Sequence, residues 1–198
     1  MTTELIDQLS VALETTAHLV ASVSADQWTN PTPCSEWSVR DVVNHLVVGH
    51  YRFASILRGQ QPPAAEEILS SVAVALSAYR DSSEALLDAF RQPGVLEKMF
   101  TIPFGTVPGV VALHLRMTEA LVHGWDLARA TGQSADFPDH LAEQELAFSR
   151  AKLSDIPAGR TPFAPPQPVA HDAPAIDRLA ACLGRRVAAD VPAARSRS

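Results

Sequence analysis

Leu5, Ile6, Leu9, Leu13, Ala17 and Val20 recur at intervals of three and four residues, which predicts an amphipathic helix over roughly 3–24. Asn30-Pro31-Thr32-Pro33 stops it, because proline cannot donate a backbone hydrogen bond and restricts the residue before it. Helical structure restarts at Ser38. Its hydroxyl can cap the first turn, Asp41 stands at the reciprocal third position, and Trp37 can staple onto Val42. Val42, Leu46, Phe53 and Ile56 carry this second helix to Gly59. Pro62-Pro63 precedes a third helix over about 64–90, which Gln92-Pro93-Gly94 closes. Residues 95–107 mix β-formers with Pro103 and Gly105 and predict an extended excursion or a small hairpin. A fourth helix follows over about 110–130, stopped by Gly132, and then a shorter one over 139–153.

Beyond that point the periodicity disappears. Six prolines between 157 and 174 forbid regular structure and predict an extended strap. A short helix around 176–183 can dock the chain end, and the small, basic residues after Val187 read as a loose tail. The expected fold class is all-α: a four-helix bundle with a hairpin excursion between helices three and four and a proline-rich C-terminal strap. The expected organisation is a helix bundle over 1–155, with strap, short helix and tail (156–198) packed on the same domain.

Composition narrows the function classes. Sixteen Lys and Arg against 22 Asp and Glu give a net charge of −6, a poor start for a nucleic-acid binder. No apolar run approaches the roughly 20 residues of a membrane helix. Cys34 and Cys182 form no C-x-x-C pair, so a reducing compartment fits better than a disulfide framework. The first ten residues carry Glu4 and Asp7 and no basic cluster, unlike a signal peptide. The expectation is a cytoplasmic protein with no nucleic-acid or membrane partner.

The candidate chemistry lies on helices two and four. Glu119 and His123, four residues apart, share a helix face. On a helical wheel they border a core stripe of Val111, Leu115, Thr118, Val122 and Trp125. A carboxylate and an imidazole so placed can hold a divalent metal, and His45 on helix two offers a third ligand. Gly49, one turn on, leaves room beside that imidazole. Asp41, one turn earlier, could accept a hydrogen bond from its non-ligating nitrogen. Spacing alone leaves the plainer reading open: such pairs also occur as solvated or capping pairs, and a lone histidine is often a core residue. His114 and His50 point away from the candidate ligands on their helices, and His18, His140 and His171 have no evident partner.

Three segments carry a family resemblance. Thr32-Pro33-Cys34-Ser35-Glu36-Trp37-Ser38-Val39-Arg40-Asp41, continuing to His45, resembles the opening of helix two in the mycothiol-dependent maleylpyruvate isomerase metal-binding domain family, of the DinB-like superfamily. Glu119-Ala120-Leu121-Val122-His123-Gly124-Trp125-Asp126-Leu127-Ala128 is similar to that family's E-x-x-x-H-x-W-D-L-A. The run from Phe163 to Pro166, then Asp172-Ala173-Pro174 and Leu179 to Gly184, resembles the tail of an actinobacterial subfamily.

The resemblance implies a DinB-like four-helix bundle whose His, Glu, His triad maps onto His45, Glu119 and His123. It implies a divalent ion, zinc by preference with nickel or another metal as the alternative, because ligand type alone does not choose. It further implies mycothiol or a similar thiol as cosubstrate, a small electrophilic substrate, and pairing into a homodimer as seen among family members. The expected activity is that of a metal-dependent thiol transferase or isomerase. A non-catalytic metal-binding sensor or interaction module, and a metal-activated hydrolase, are the alternatives. The family's isomerase has a larger C-terminal domain contributing to its active site, which the short region after 155 does not match.

Asp126, three residues after His123, is expected to make a structural hydrogen bond, by orienting His123 or pairing with Arg40 or another base. Trp125 reads as core packing. Arg52, two turns beyond His45, is the candidate for a substrate carboxylate, with snorkelling to solvent as the alternative. Cys34, beside a helix start, reads as a small packed residue.

Overall fold

The structure, a computed structural model, describes residues 2–62, 71–103, 105–154 and 164–187. Four long helices build the bundle: α1 (Thr2–Ala21), α2 (Val39–Leu57), α3 (Val72–Phe90) and α4 (Gly109–Thr131). Two shorter ones, α5 (Asp139–Ser154) and α6 (Ala175–Cys182), pack against each other and against α4. The all-α, DinB-like expectation holds. The excursion between α3 and α4 is an antiparallel hairpin, β1 (Met99–Ile102) and β2 (Gly105–Pro108), with Met99 paired to Pro108 and Ile102 to Gly105.

The element ends follow local chemistry. Ser38 and Asp41 form the reciprocal capping box at the start of α2. Gly132, at φ 71°, ends α4 in the left-handed conformation that glycine adopts without a Cβ penalty. α1 stops three residues before the predicted end, where Ser24 caps a single 3-10 turn over Ala25–Gln27. Residues 64–70 of the predicted third helix, the strap before 164 and the predicted tail after Val187 lie outside the described residues. The described strap, 164–174, has no regular structure.

One expectation fails in an informative way. The stripe predicted on α4 is not its buried face: the first half of the helix leaves Val111, His114, Leu115 and Glu119 half-buried, whereas residues 120–128 are all buried. Ala112, Leu113, Met117, Ala120, Leu121, Trp125, Leu127 and Ala128 are buried. α1, α2, α5 and α6 pack against it. Val111 and Leu115, placed in the predicted stripe, are only half-buried. Among the described residues no helix is long and apolar enough to cross a membrane.

Candidate metal centre

α2 and α4 pack against each other and bring their polar residues to one place. His45 Nε2 lies 2.7 Å from Glu119 Oε2, and His123 Nε2 lies 3.4 Å from the same oxygen. All three offer a ligand atom within 4.8 Å of one another. An ion with metal–ligand bonds of about 2.0–2.1 Å in a tetrahedral site separates its donors by about 3.3 Å. The observed separations bracket that value, so the donor set fits a divalent cation. His45 remains the most open of the three, with 37 % of its side chain exposed, against 22 % for Glu119 and 7 % for His123.

The electrostatics couple the three groups. Burial alone would raise the Glu119 carboxyl, but hydrogen bonds from His123 and His45, with Arg116 nearby, hold it well below the usual range. Burial would likewise lower His123, yet its bonds to Asp126 and Glu119 win and raise it. His45 is lowered, because burial outweighs its contact with Glu119. A divalent ion held by these three residues would compete with the proton favoured on His123 and offset the charge of the Glu119 carboxylate.

The residues around the triad are partly as expected and partly not. Asp126 is fully buried, and its Oδ2 accepts from His123 Nδ1 at 3.0 Å. That bond leaves Nε2 as the nitrogen facing Glu119 and His45. The base paired with Asp126 is Arg185, from beyond α6, and not Arg40. The Asp41 expectation needs correcting. Its Oδ2 accepts from the Ser38 backbone N–H (2.9 Å) and hydroxyl (2.6 Å), while Oδ1 faces Arg40. The capping box consumes the carboxylate that was expected beside His45.

The space beside Gly49 is also used differently. It is filled by the guanidinium of Arg116: a Cβ built on Gly49 would come within 3.0 Å of Nη2. Arg116 is 3 % exposed, lies over the Phe53 ring and places Nη1 4.0 Å from Glu119 Oε2. Arg116, and not Arg52, is therefore the guanidinium next to the triad; Arg52 is half-buried on α2. Its i, i+3 spacing from Glu119 was a signal in the sequence that the helical-wheel reading passed over.

The loop before α2 closes one side. Pro31 and Ser38 form an isolated bridge, and the Thr32 hydroxyl donates to the carbonyls of Cys34 and Trp37. Glu36 takes φ 73°, a left-handed conformation costly for a residue with a Cβ. The turn folds Trp37 onto the site, its ring centroid 4.6 Å from that of His45 and 5.6 Å from that of His123. Cys34, half-buried in the same loop, offers its sulfur within 4.8 Å of ligand atoms of His123 and Asp126. Burial pushes its thiol up, against the opposing charge of Arg185. Trp125 is buried as expected, and its indole N–H donates to Asp177 of α6 at 2.6 Å.

His114 turns to the other side of α4. Its Nδ1 lies 2.7 Å from the fully buried Glu145 of α5, which also accepts from Thr118. His50, fully buried, has Nδ1 3.1 Å from the Ser82 hydroxyl of α3.

The model of the mycothiol maleylpyruvate isomerase N-terminal domain matches residues 9–128, which contain His45, Glu119 and His123. The chain belongs to that family. Two uncharacterized Mycobacterium tuberculosis proteins, MT0763 of strain CDC 1551 / Oshkosh and Rv0738 of strain ATCC 25618 / H37Rv, are each 39% identical to it over 173 residues. Those alignments cover 86% of this chain and 92% of each relative. Crystal structures of the mycothiol-dependent maleylpyruvate isomerase and of a histidine-to-alanine mutant of it superpose with TM-scores of 0.63 and 0.62. At 16% and 15% identity, covering 74% of this chain and 68% of theirs, they show a shared fold. α5, α6 and Arg185 lie beyond the family-matched segment, so this chain's C-terminal arm is additional to it.

Proposed function

We propose that this family member holds a divalent metal with His45, Glu119 and His123 and catalyses transfer or isomerisation through a low-molecular-weight thiol of the mycothiol type. The convergence of three donors from α2 and α4 around Glu119 Oε2 carries the reading. Two imidazoles and one carboxylate leave coordination positions for a reactant, unlike a closed structural site. Zinc is the preferred ion. When bound, such an ion supplies the Lewis acidity that keeps a coordinated thiol as its nucleophilic thiolate near neutral pH.

The chain's own residues do the rest. Asp126 fixes the His123 ring and its tautomer. Trp37 walls one side with an apolar surface that limits water. Arg116 adds a buried positive charge beside Glu119, favouring an anionic reactant over a neutral one. The electrophile is a small molecule, and the addition it undergoes is either retained as a conjugate or reversed after rotation about a bond.

His114 and Asp126, two residues that a closed site could have used as a fourth ligand, are engaged elsewhere: His114 with Glu145, and Asp126 with His123 and Arg185. This supports an open, reactive centre over a non-catalytic metal module. Elemental mass spectrometry on untagged protein, with His45→Ala and Glu119→Gln/His123→Ala alongside, tests the site. About one divalent ion per chain is expected, lost in both variants while circular dichroism stays helical. A thiol-transfer assay in which metal-free protein keeps full activity refutes the mechanism.

A further inference from the structure

The C-terminal arm ends against the candidate centre. Beyond α6 the chain turns at Gly184, φ 89°, where a Cβ would fall 2.6–2.9 Å from Ala164 atoms of the strap. Only glycine makes that turn against the strap, and it sends Arg185 inward, to 8 % exposure. There the guanidinium holds Asp126 with both arms of its fork: Nη2 donates to Oδ2 at 2.9 Å and Nε to Oδ1 at 3.3 Å. Nη1 donates to the Leu183 carbonyl. The same Asp126 Oδ2 receives His123 Nδ1. One buried carboxylate thus joins a base 59 residues away to the most buried member of the triad.

A second anchor holds the arm independently. Asp177 of α6 accepts from the Trp125 indole at 2.6 Å and from Arg129 at 2.9 Å. Its hydrogen bonds go to Trp125 and Arg129 and not to the triad or Asp126, so Asp177→Asn weakens docking while leaving both partners of the Arg185–Asp126 pair in the chain.

Resting on the metal reading above, we infer that Arg185 is a positioning residue of the centre: through Asp126 it orients His123, and ion binding and arm docking stabilise each other. The reason is electrostatic. A bidentate guanidinium fixes both oxygens of Asp126, so the His123 ring is held before an ion arrives. Without Arg185, Asp126 is a buried charge that can rotate or draw in water, and His123 loses its orientation. Coupling between two sites is reciprocal, so an ion that fixes His123 must also tighten the arm.

The test uses the full chain and zinc alone as probe, with affinity measured by competition against a chromophoric chelator. Loss of such a partner weakens metal binding by about 10–100-fold. Arg185→Gln should show that loss, Arg185→Lys, which keeps the charge but not the two-point fork, should recover only part of it, and Asp177→Asn should lose far less than Arg185→Gln. Hydrogen exchange gives the reciprocal reading: zinc should slow the amides of 176–185 in the wild type and not in Arg185→Gln. Zinc affinity of Arg185→Gln within about two-fold of wild type overturns the inference, and so does an equal loss in Asp177→Asn, which would make arm docking alone responsible. Should Arg185→Gln fail to fold, unchanged exchange in zinc-loaded wild type overturns it by itself. Wild-type protein that takes up no zinc overturns the metal reading as well, whereas zinc-binding wild type with an unaffected Arg185→Gln removes only this inference.

Discussion

Gly124 follows the candidate ligand His123 and lies close against Phe137 and against Thr16 of α1. A Cβ built there would lie 2.4 Å from Phe137 Cζ and 2.9 Å from the Thr16 hydroxyl oxygen. That hydroxyl is fully buried and lies 3.0 Å from the Ala120 carbonyl, bonding α1 to α4. Two effects of Gly124→Ala oppose each other. Alanine is the better helix former by about 1 kcal/mol. Forcing a methyl against the buried Phe137 ring costs about 1–3 kcal/mol, and disturbing the Thr16 bond about 1 more. The clash wins, for a net loss of about 2 kcal/mol, which for a chain of this length lowers Tm by about 4–8 °C. Thermal and urea denaturation of the two proteins measure it. Phe137→Leu removes the offending ring atoms, so the double variant should be less destabilised than the two singles added, by about 1 kcal/mol. A Gly124→Ala protein more stable than wild type would mean that helix propensity outweighs packing here and would refute the reasoning.

Three further outcomes are expected. Asp41→Ala should cost about 1 kcal/mol through the lost cap and leave zinc affinity unchanged, whereas a role orienting His45 would cost about 10–100-fold in affinity. The folded Asp41 carboxyl is lowered by the Ser38 bonds, so its contribution is present above its unfolded pKa and fades as pH falls through the folded one. His50 is held well below its ordinary value, first by burial and then by Arg116. Below about pH 6.5 the unfolded chain therefore takes up a proton that the folded chain refuses. Stability should fall by about 1.4 kcal/mol on going to pH 5.5, an acid slope that His50→Gln removes in parallel urea titrations. Cys34, with its thiol pushed up by burial, should react with iodoacetamide at pH 7.5 more slowly than glutathione in a Cys182→Ala background. A faster reaction would mark it as an activated nucleophile and shift the proposed chemistry from the metal to the thiol.

Much of this protein is local and therefore legible in the chain. Helix periodicity in α1 and α2, the Ser38–Asp41 cap, the Gly132 stop and the hairpin between α3 and α4 all depend on neighbours a few residues apart. The pairing of Glu119 with His123 is equally local, a consequence of 3.6 residues per turn. What the sequence could not determine is which neighbour takes each polar group. Asp41 had two plausible partners, and the capping box won because it forms as soon as the helix does. Gly49 signalled a close approach but not that Arg116 would fill it. The α4 pattern misled because its first half turns Val111, Leu115 and Glu119 partly outward while residues 120–128 are all buried, so no single stripe runs its length. Arg185 was invisible for the simplest reason. A buried carboxylate needs a counter-charge, and only the packing of α6 on α4 decides that it comes from the far end of the chain.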